Sequence, residues 1–454
     1  MIKKNDIIKL EITDINHDAS GVGKYEGMVI FVPQTAVGDI IDCKILKVNK
    51  TYAYGKIEKI LISSPTRIKV DCPVYHKCGG CSLRHISYEE ELKIKKNWVC
   101  ENLKRIGGAD IPFEKIELLG SPEVNSYRNK AQYPVGFDGE KIISGFYGNH
   151  SHRIISSEGC EIQPPYFSEI VSLILRFMKE YNIKPYDEET KIGLIRHIYI
   201  REGKGTGEVM VSLVATKNKI PSVDKLLRKL LNLPYNIVSV VLNVNSKDTN
   251  VILGEENIIL HGKDGITDIM CGKKVNISSL AFYQVNKLSA ENLYNKAIEY
   301  AEFKGNEEIV ELYCGAGTIS LAMSDRVKHI TAVEIIPEAI ENAKINAQLN
   351  GITNIDFICD DAKNTAVKLA VNNIKCDTIV VDPPRKGCNA EVLDSIAKIS
   401  PEKIIYISCN SSTLARDIKI LSEQGYFLRK VAAVDLFPRT SHVECVVLMT
   451  KVQK

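Results

Sequence analysis

At 454 residues the chain is longer than one hydrophobic core usually organises, so two or three domains are expected. An apolar share of 44% and a charged share of 25% are ordinary for a soluble globular protein; no apolar run is long enough to cross a bilayer and the opening MIKKNDIIKLEI has no secretory pattern, so a cytoplasmic location is expected. A net charge of +3 permits nucleic-acid binding without arguing for it, which leaves the partner to be read from motifs.

The first sixty residues read as short strands, Ile7–Ile12, Met28–Val32, Asp39–Val48 and Ala53–Ile60, with Gly21-Val-Gly23 and Val37-Gly-Asp39 as turn signals. Strands without a helix predict a small β-barrel over residues 1–62, with Ser63-Ser-Pro65 as its exit. A cysteine cluster follows. Tyr88–Ile106 has helical periodicity ending at Gly107-Gly108, and its polar face, Lys93, Lys95, Lys96, Lys104 and Arg105, reads as solvated. Residues 63–275 are expected to form a central α+β domain, in which the order of elements from 120 onward is not legible. From Ile309 the runs IVELY, ITAVEI, IDFIC, TIVVD and KIIYIS alternate with helical stretches. That alternation predicts an α/β, doubly wound parallel sheet over residues 276–454.

The chemistry-bearing residues fall at the carboxyl ends of those predicted strands. Cys314-Gly-Ala-Gly317 after IVELY lets backbone approach a ligand, and Glu334 near the end of the next strand can accept from both hydroxyls of a ribose. Many α/β proteins share this pattern, and the dinucleotide fingerprint is absent because a third glycine at the usual spacing is missing. Asp382-Pro-Pro-Arg385 ends TIVVD at the same edge; the order of the three elements favours an S-adenosylmethionine-type methyltransferase over a simple strand-ending turn. Ser408-Cys409-Asn410 ends KIIYIS, before a helix expected near Ser412 whose N-terminus would stabilise a thiolate. A buried structural cysteine is the commoner role, but the active edge favours a nucleophile. Such a nucleophile suits carbon 5 of uracil, which is too weak to take a methyl group until a thiolate adds to carbon 6. Glu444, in His442-Val-Glu444, is the candidate base for the carbon 5 proton.

Thirteen cysteines are many for a reducing compartment, where disulfides are not expected. Cys43, Cys100, Cys271, Cys359 and Cys376 sit singly and read as small hydrophobes. Cys72, Cys78 and Cys81 have metal-ligand spacing, and Cys160 could complete four thiolates. Zinc and an iron–sulfur cluster both accept such a set.

Together these motifs resemble the RNA (uracil-5-)methyltransferases, most closely the bacterial 23S ribosomal RNA members, over essentially the whole chain. CPVYHKCGGCSLRHISYEEELKIKK, SYRNKAQYPV, Phe282-Tyr-Gln284-Val-Asn286, DPPRKG, SCN and HVE carry the resemblance. It implies a TRAM RNA-binding barrel at the N-terminus and a structural 4Fe-4S cluster on Cys72, Cys78, Cys81 and Cys160. It also implies cofactor contacts from Gln284, Tyr313, Glu334 and Asp382, with Cys409 as nucleophile and Glu444 as base. It implies that the helix from Tyr88 returns to the catalytic domain. The expected partner is RNA, with 23S ribosomal RNA ahead of transfer RNA and no obligate protein partner. Ser411 stands where the family often has proline. Two other classes compete. A radical S-adenosylmethionine enzyme would need only three clustered cysteines and no separate doubly wound site. A non-catalytic RNA-binding protein would not need Cys409, Glu444 and Asp382 together.

Overall fold

The structure, a computed structural model, describes residues 2–149 and 151–451. Strict alternation builds the N-terminal unit: in β1 (Ile7–Glu11) Ile8 and Leu10 point inward while Ile7, Lys9 and Glu11 face out. β2 (Asp14–Ile15), β3 (Ser20–Tyr25), β4 (Met28–Pro33), β5 (Ile40–Val48) and β6 (Tyr52–Ile62) complete a sheet of order β1-β5-β6-β4-β3-β2. Three register shifts bend the β5–β6 ladder, and Thr13 N donates to Val22 O at 2.9 Å, joining the ends. The glycines expected to mark a turn lie inside β3 instead. A Cβ on Gly21 would stand 1.9 Å from Thr35 Oγ1, and one on Gly23 2.6 Å from Glu11 O. They are small because neighbouring chain passes close, while the turn falls at Glu26-Gly27, both at positive φ.

α1 (Tyr88–Arg105) starts at Ser87, whose side chain accepts from Glu90 N, with acids in its first turn and Lys104 and Arg105 in its last. Trp98 Nε1 donates to Ile15 O at 2.9 Å, seating the helix against the barrel. β7 (Glu117–Leu119) follows. The central sheet comprises β8 (Lys130–Phe137), β9 (Ile142–Tyr147), β10 (Ile154–Ser156), β11 (Ile195–Gly203), β12 (Glu208–Ala215), β13 (Ile237–Val244) and β14 (Glu256–Gly262), in the order β10-β9-β8-β11-β12-β13-β14. α2 (Tyr166–Glu180) and α3 (Val223–Leu231) cover one face, burying Phe167, Ile170, Ile174 and Phe177 on Ile198, Ile200, Val211 and Leu213. The hairpin β15 (Ile266–Met270) and β16 (Lys273–Ile277) leads onward.

The C-terminal unit alternates as expected: α4 (Lys287–Ala301), β17 (Glu308–Leu312), α5 (Thr318–Met323), β18 (His329–Glu334), α6 (Pro337–Leu349), β19 (Ile355–Cys359), α7 (Ala362–Val371), β20 (Thr378–Val381), α8 (Ala390–Ile399), β21 (Lys403–Ser408), α9 (Ser411–Glu423), β22 (Tyr426–Val434) and β23 (Glu444–Lys451). Its sheet runs β19-β18-β17-β20-β21-β23-β22-β7, parallel through β21, with β23 antiparallel to both neighbours. The edge strand β7 enters from before the central sheet and pairs parallel with β22, so a unit counted from 276 omits it. Three residues carry no readable period.

α1 packs on α9, and Val99 and Leu103 join the C-terminal core. Lys95 corrects the reading of a solvated face. It is fully buried and donates to Glu91 Oε1 at 2.7 Å, Asp435 Oδ1 at 2.8 Å and Phe437 O at 3.1 Å. A helix held between two bodies is covered on more than one side, and a buried ion pair is spelled with the same letters as an exposed one.

Candidate active site and cysteine cavity

The carboxyl ends of the parallel strands gather the candidate residues. Tyr313 leaves β17 at φ 69°, followed by Gly315 and Gly317 at positive φ. Gly315 N donates to Glu334 Oε2 at 3.1 Å, and the other oxygen accepts from Ile335 N and Ile336 N. The carboxylate thus sits at the glycine turn, where its remaining acceptor capacity suits a vicinal diol. At Gly317 a Cβ would lie 3.1 Å from Ala343 Cβ, so the turn and α6 pack closely.

Across the crevice, burial pushes Asp382 up to about 7. The buried Tyr294 hydroxyl lies 3.3 Å from Thr318 Oγ1 and also interacts with Gln284 and Asp382. The Gln284 segment is held from the central sheet: Asn129 Nδ2 donates to Gln284 O at 2.9 Å and Asn129 N to Val285 O at 2.8 Å. Arg201 steadies the approach by donating to Ser278 O and Ala281 O. Tyr294 was not legible as a site residue, because it is one aromatic of a helix core until the fold turns its hydroxyl toward the edge.

Cys409 follows β21 directly. The antiparallel register pairs Ser408 with Cys445, which sets Cys409 beside Glu444, the first residue of β23. Burial pushes the Cys409 thiol up to about 11; Glu444 and Asp382 add to the shift and Arg385 opposes it. Glu444 is raised to about 8, by burial and then by Asp382, again against Arg385. The expected stabilisation of a thiolate by the helix N-terminus is therefore outweighed within the chain itself. Asn410 caps that terminus, accepting from Ser412 N at 3.0 Å and Thr413 N at 3.4 Å, so those donors do not face the sulfur.

Arg385, the cation of this corner, is anchored through its own backbone: Asn410 Nδ2 and Thr413 Oγ1 both donate to Arg385 O. Buried Asp417 on α9 accepts from Cys388 N at 2.8 Å and Tyr406 Oη at 2.6 Å. Arg416 donates to Lys386 O and Cys388 O. The Asp382–Cys388 loop is thereby clamped to the helix that follows Cys409. Tyr313 reaches the same network through Cys388.

Cys72, Cys78 and Cys81, with Cys160 from far along the chain, line one cavity of about 80 Å³. All are free thiols. Burial and the neighbouring thiols push Cys81 up to about 12 and Cys160 to about 11. Arg84 and Arg128 also line the cavity, and Arg84 Nη1 and Arg128 Nε are buried donors without partners among the described residues. Gly80 N donates to Cys78 Sγ at 3.3 Å. Among the described residues no three His, Cys, Asp or Glu side chains converge closely enough to hold a single ion. Of the cysteines read as small hydrophobes, Cys43 is buried but Cys359 is exposed at a strand end.

The family model described as tRNA (Uracil-5-)-methyltransferase matches residues 87–452, and a TRAM domain model matches residues 3–57. The chain belongs to that methyltransferase family. It is an S-adenosylmethionine-dependent enzyme of the RNA (uracil-5-)methyltransferase class, with an N-terminal TRAM domain. It is 44% identical over 454 residues to an uncharacterised RNA methyltransferase of Clostridium acetobutylicum, covering 100% of this chain and 99% of the relative. An uncharacterised RNA methyltransferase of Listeria innocua is 43% identical over 450 residues, covering 99% of each. Among solved structures, the Pyrococcus abyssi tRNA (uracil-54, C5)-methyltransferase in complex with S-adenosyl-L-homocysteine is similar, with a TM-score of 0.79 and 28% identity over 97% of this chain and 99% of that one. No helix among the described residues is long and apolar enough to cross a membrane.

Proposed function

We propose that this family enzyme methylates carbon 5 of a uridine in structured RNA through a covalent bond from Cys409, with Glu444 as the base. The observation that carries the reading is the β21–β23 pairing, which sets a thiol and a carboxyl side by side at the edge bearing the glycine turn, Glu334 and Asp382. S-adenosylmethionine, when bound, supplies an electrophilic methyl group and a positive charge. Gln284, Tyr313, Glu334 and Asp382 are the residues placed to hold it.

The chain's own groups do the rest. At neutral pH Cys409 holds its proton, and Arg385 is the fixed cation that favours its loss. As the thiol gives up its proton to solvent, the sulfur adds to carbon 6 of the uracil and the ring's electron pair moves toward carbon 5, which then takes the methyl group. Glu444, raised to about 8, acts in its ionised form and takes the remaining proton from carbon 5. The carbon–sulfur electrons stay with the sulfur, the carbon 5–hydrogen pair restores the ring double bond, and Cys409 is released.

For the RNA, the resemblance of the motifs favours 23S ribosomal RNA. Transfer RNA is the second reading, because the Pyrococcus abyssi relative acts on it and spans the same length. For the cavity, the four thiols fit a 4Fe-4S cluster better than one zinc ion. They line one cavity, and two unpartnered guanidinium donors there suit the negative charge of a thiolate-ligated cluster. The cluster takes no part in the methyl transfer derived above.

The test is methyl incorporation from labelled cofactor into purified 23S ribosomal RNA and bulk transfer RNA, each lacking the modification. Wild type should label one class, and Cys409→Ala should label neither while still binding the cofactor. Wild-type activity in Cys409→Ala would remove the covalent mechanism, and labelling of transfer RNA alone would reverse the choice of substrate.

A further inference from the structure

α9 carries a buried carboxylate that the methyl transfer does not use. Asp417 is fully buried in the middle of the helix, where a short acidic side chain is a poor choice on local grounds. Burying a carboxylate also costs free energy unless donors satisfy it. Here both oxygens are satisfied. Oδ2 accepts from Cys388 N at 2.8 Å and Tyr406 Oη at 2.6 Å, and Oδ1 accepts from Arg416 Nε at 2.7 Å. Arg416 Nη2, so oriented, donates to Lys386 O at 2.9 Å and Cys388 O at 3.2 Å.

What this pair grips is the turn that carries Arg385. Gly387, at φ 75°, lies against it: a Cβ there would stand 2.6 Å from both Asp417 Oδ2 and Arg416 Nη2. Gly387 N donates to Pro384 O at 2.8 Å, closing the turn around Arg385. The Arg385 side chain is exposed, its Nη2 lies 3.5 Å from His442 Nε2, and it has no ion pair among the described residues. Fixing a long side chain costs rotamer freedom, so an arginine without a carboxylate partner points where its backbone sends it. The groups that face Cys409 are Glu444 and Cys445 on β23, Asp382 after β20, and Arg385; of these, Arg385 alone favours the thiolate.

We propose that Asp417 is a positioning residue for the covalent step: through Arg416 and the Pro384–Cys388 turn it holds Arg385 where the guanidinium charge reaches the Cys409 sulfur. The inference rests on the proposed role of Cys409 and adds a residue set behind the site. The thiol loses its proton to solvent as the sulfur adds to carbon 6, and a cation fixed beside the sulfur stabilises the charge left there. The same cation swinging free in water would be screened from it. α9 begins at Ser411, directly after Cys409 and Asn410, so one helix places both the sulfur and the grip on its cation.

The test alkylates Cys409 in the full chain without RNA, once with anionic iodoacetate and once with neutral iodoacetamide of similar size. A cation beside the sulfur favours the anionic reagent, so the ratio of the two rates reads local charge, whereas a loosened loop changes both rates together. Asp417→Asn keeps the size but turns one acceptor oxygen into a donor, so it cannot serve Arg416 and the Cys388 N–H at once. It should lower the ratio by roughly threefold, the effect of about one kT of lost potential, and slow methyl incorporation with cofactor affinity unchanged. Gly387→Ala, which forces the turn from the other side, should act alike. In an Arg385→Gln background Asp417→Asn should lower the ratio no further. Thermal melts report folding, and if Asp417→Asn does not fold, Gly387→Ala and Arg416→Gln decide the matter. A wild-type ratio in the folded variants makes Asp417 a structural residue only and overturns the proposal. A further fall in the double variant overturns it too, as does a lowered ratio with wild-type methyl incorporation. Alkylation needs no turnover, so a wild-type ratio removes the positioning role and leaves Cys409 as nucleophile, whereas normal methylation by Cys409→Ala removes the covalent mechanism itself.

Discussion

At the scale of single residues, two carboxyls, one thiol and one cation set the behaviour of the reaction corner. Glu444→Gln keeps size and polarity but removes basicity. With Glu444 as base, the variant should add its cysteine, take the methyl onto carbon 5 and stall before elimination. A denaturing gel should then show a slow protein–RNA band carrying the methyl label, absent when Cys409→Ala is added. Normal turnover without a band would move the base role to another group. The Cys409 thiol makes a second prediction in the RNA-free protein. Its pKa is raised to about 11, so the thiolate is scarce below that pH and grows about tenfold per pH unit as pH rises toward it. Alkylation mapped by mass spectrometry should label exposed Cys359 first and Cys409 slowly at neutral pH, with a steep rise above pH 8. Arg385 favours the thiolate, so Arg385→Gln should slow Cys409 labelling further without changing Cys359. Fast Cys409 labelling at pH 7 in wild type would show a thiol activated before substrate arrives.

At the scale of elements, α1 holds the molecule's parts together through a buried ion network. Lys95 bridges Glu91 on its own helix and Asp435 after β22, Arg439 N donates to Glu91 Oε1, and Tyr88 Oη donates to Asp435. Burial and the nearby Asp435 charge raise Glu91, against Lys95. Lys95→Met keeps the stem volume but leaves buried Asp435 without its cation and Glu91 with only Arg439 Nη1 at 3.5 Å, and should cost about 3–5 kcal/mol in denaturant unfolding. The pH dependence follows from the sign. A carboxyl with a folded pKa above its unfolded value loses stability as pH rises, so the variant should recover part of the loss toward acid pH. A loss below about 1 kcal/mol, the range of exposed pairs, would mean that water reaches the network.

At the scale of the whole molecule, the cysteine cavity joins segments from both sides of α1. Cys72, Cys78 and Cys81 come from the connection after the barrel, and Cys160 from the stretch between β10 and α2. Tyr75, whose hydroxyl lies 2.6 Å from His85 Nδ1, is tied to the barrel through that ring, whose Nε2 lies 2.9 Å from Thr35 O. Protein purified without oxygen should be brown and carry about four irons per chain. Cys81→Ala should lose the iron and lower the unfolding temperature, because the cavity wall would keep its unpartnered guanidinium donors. Stoichiometric zinc and no iron under those conditions would replace the cluster with a single ion.

The sequence by itself determined the elements whose residues act locally. Alternation in Ile7–Glu11 and the βα repeat from Ile309 are short-range patterns, and the turn after IVELY, the DPPR tetrapeptide and the Cys409 strand end were legible because each sits at a strand's carboxyl end. The tertiary structure decided what depends on a partner far along the chain. Gly21 looks like a turn residue until Thr35, brought beside it by the barrel, shows that the strand needs room rather than a bend. Lys95 looks solvated until Asp435, 340 residues away, neutralises it in the core. The charge state of Cys409 depends on distant partners in the same way. A helix N-terminus is a local feature, but the burial and the carboxyls of Glu444 and Asp382 that outweigh it are set by strand pairing across the sheet. A carboxylate's letter is the same in water and in a low-dielectric cleft, and only the fold chooses between them.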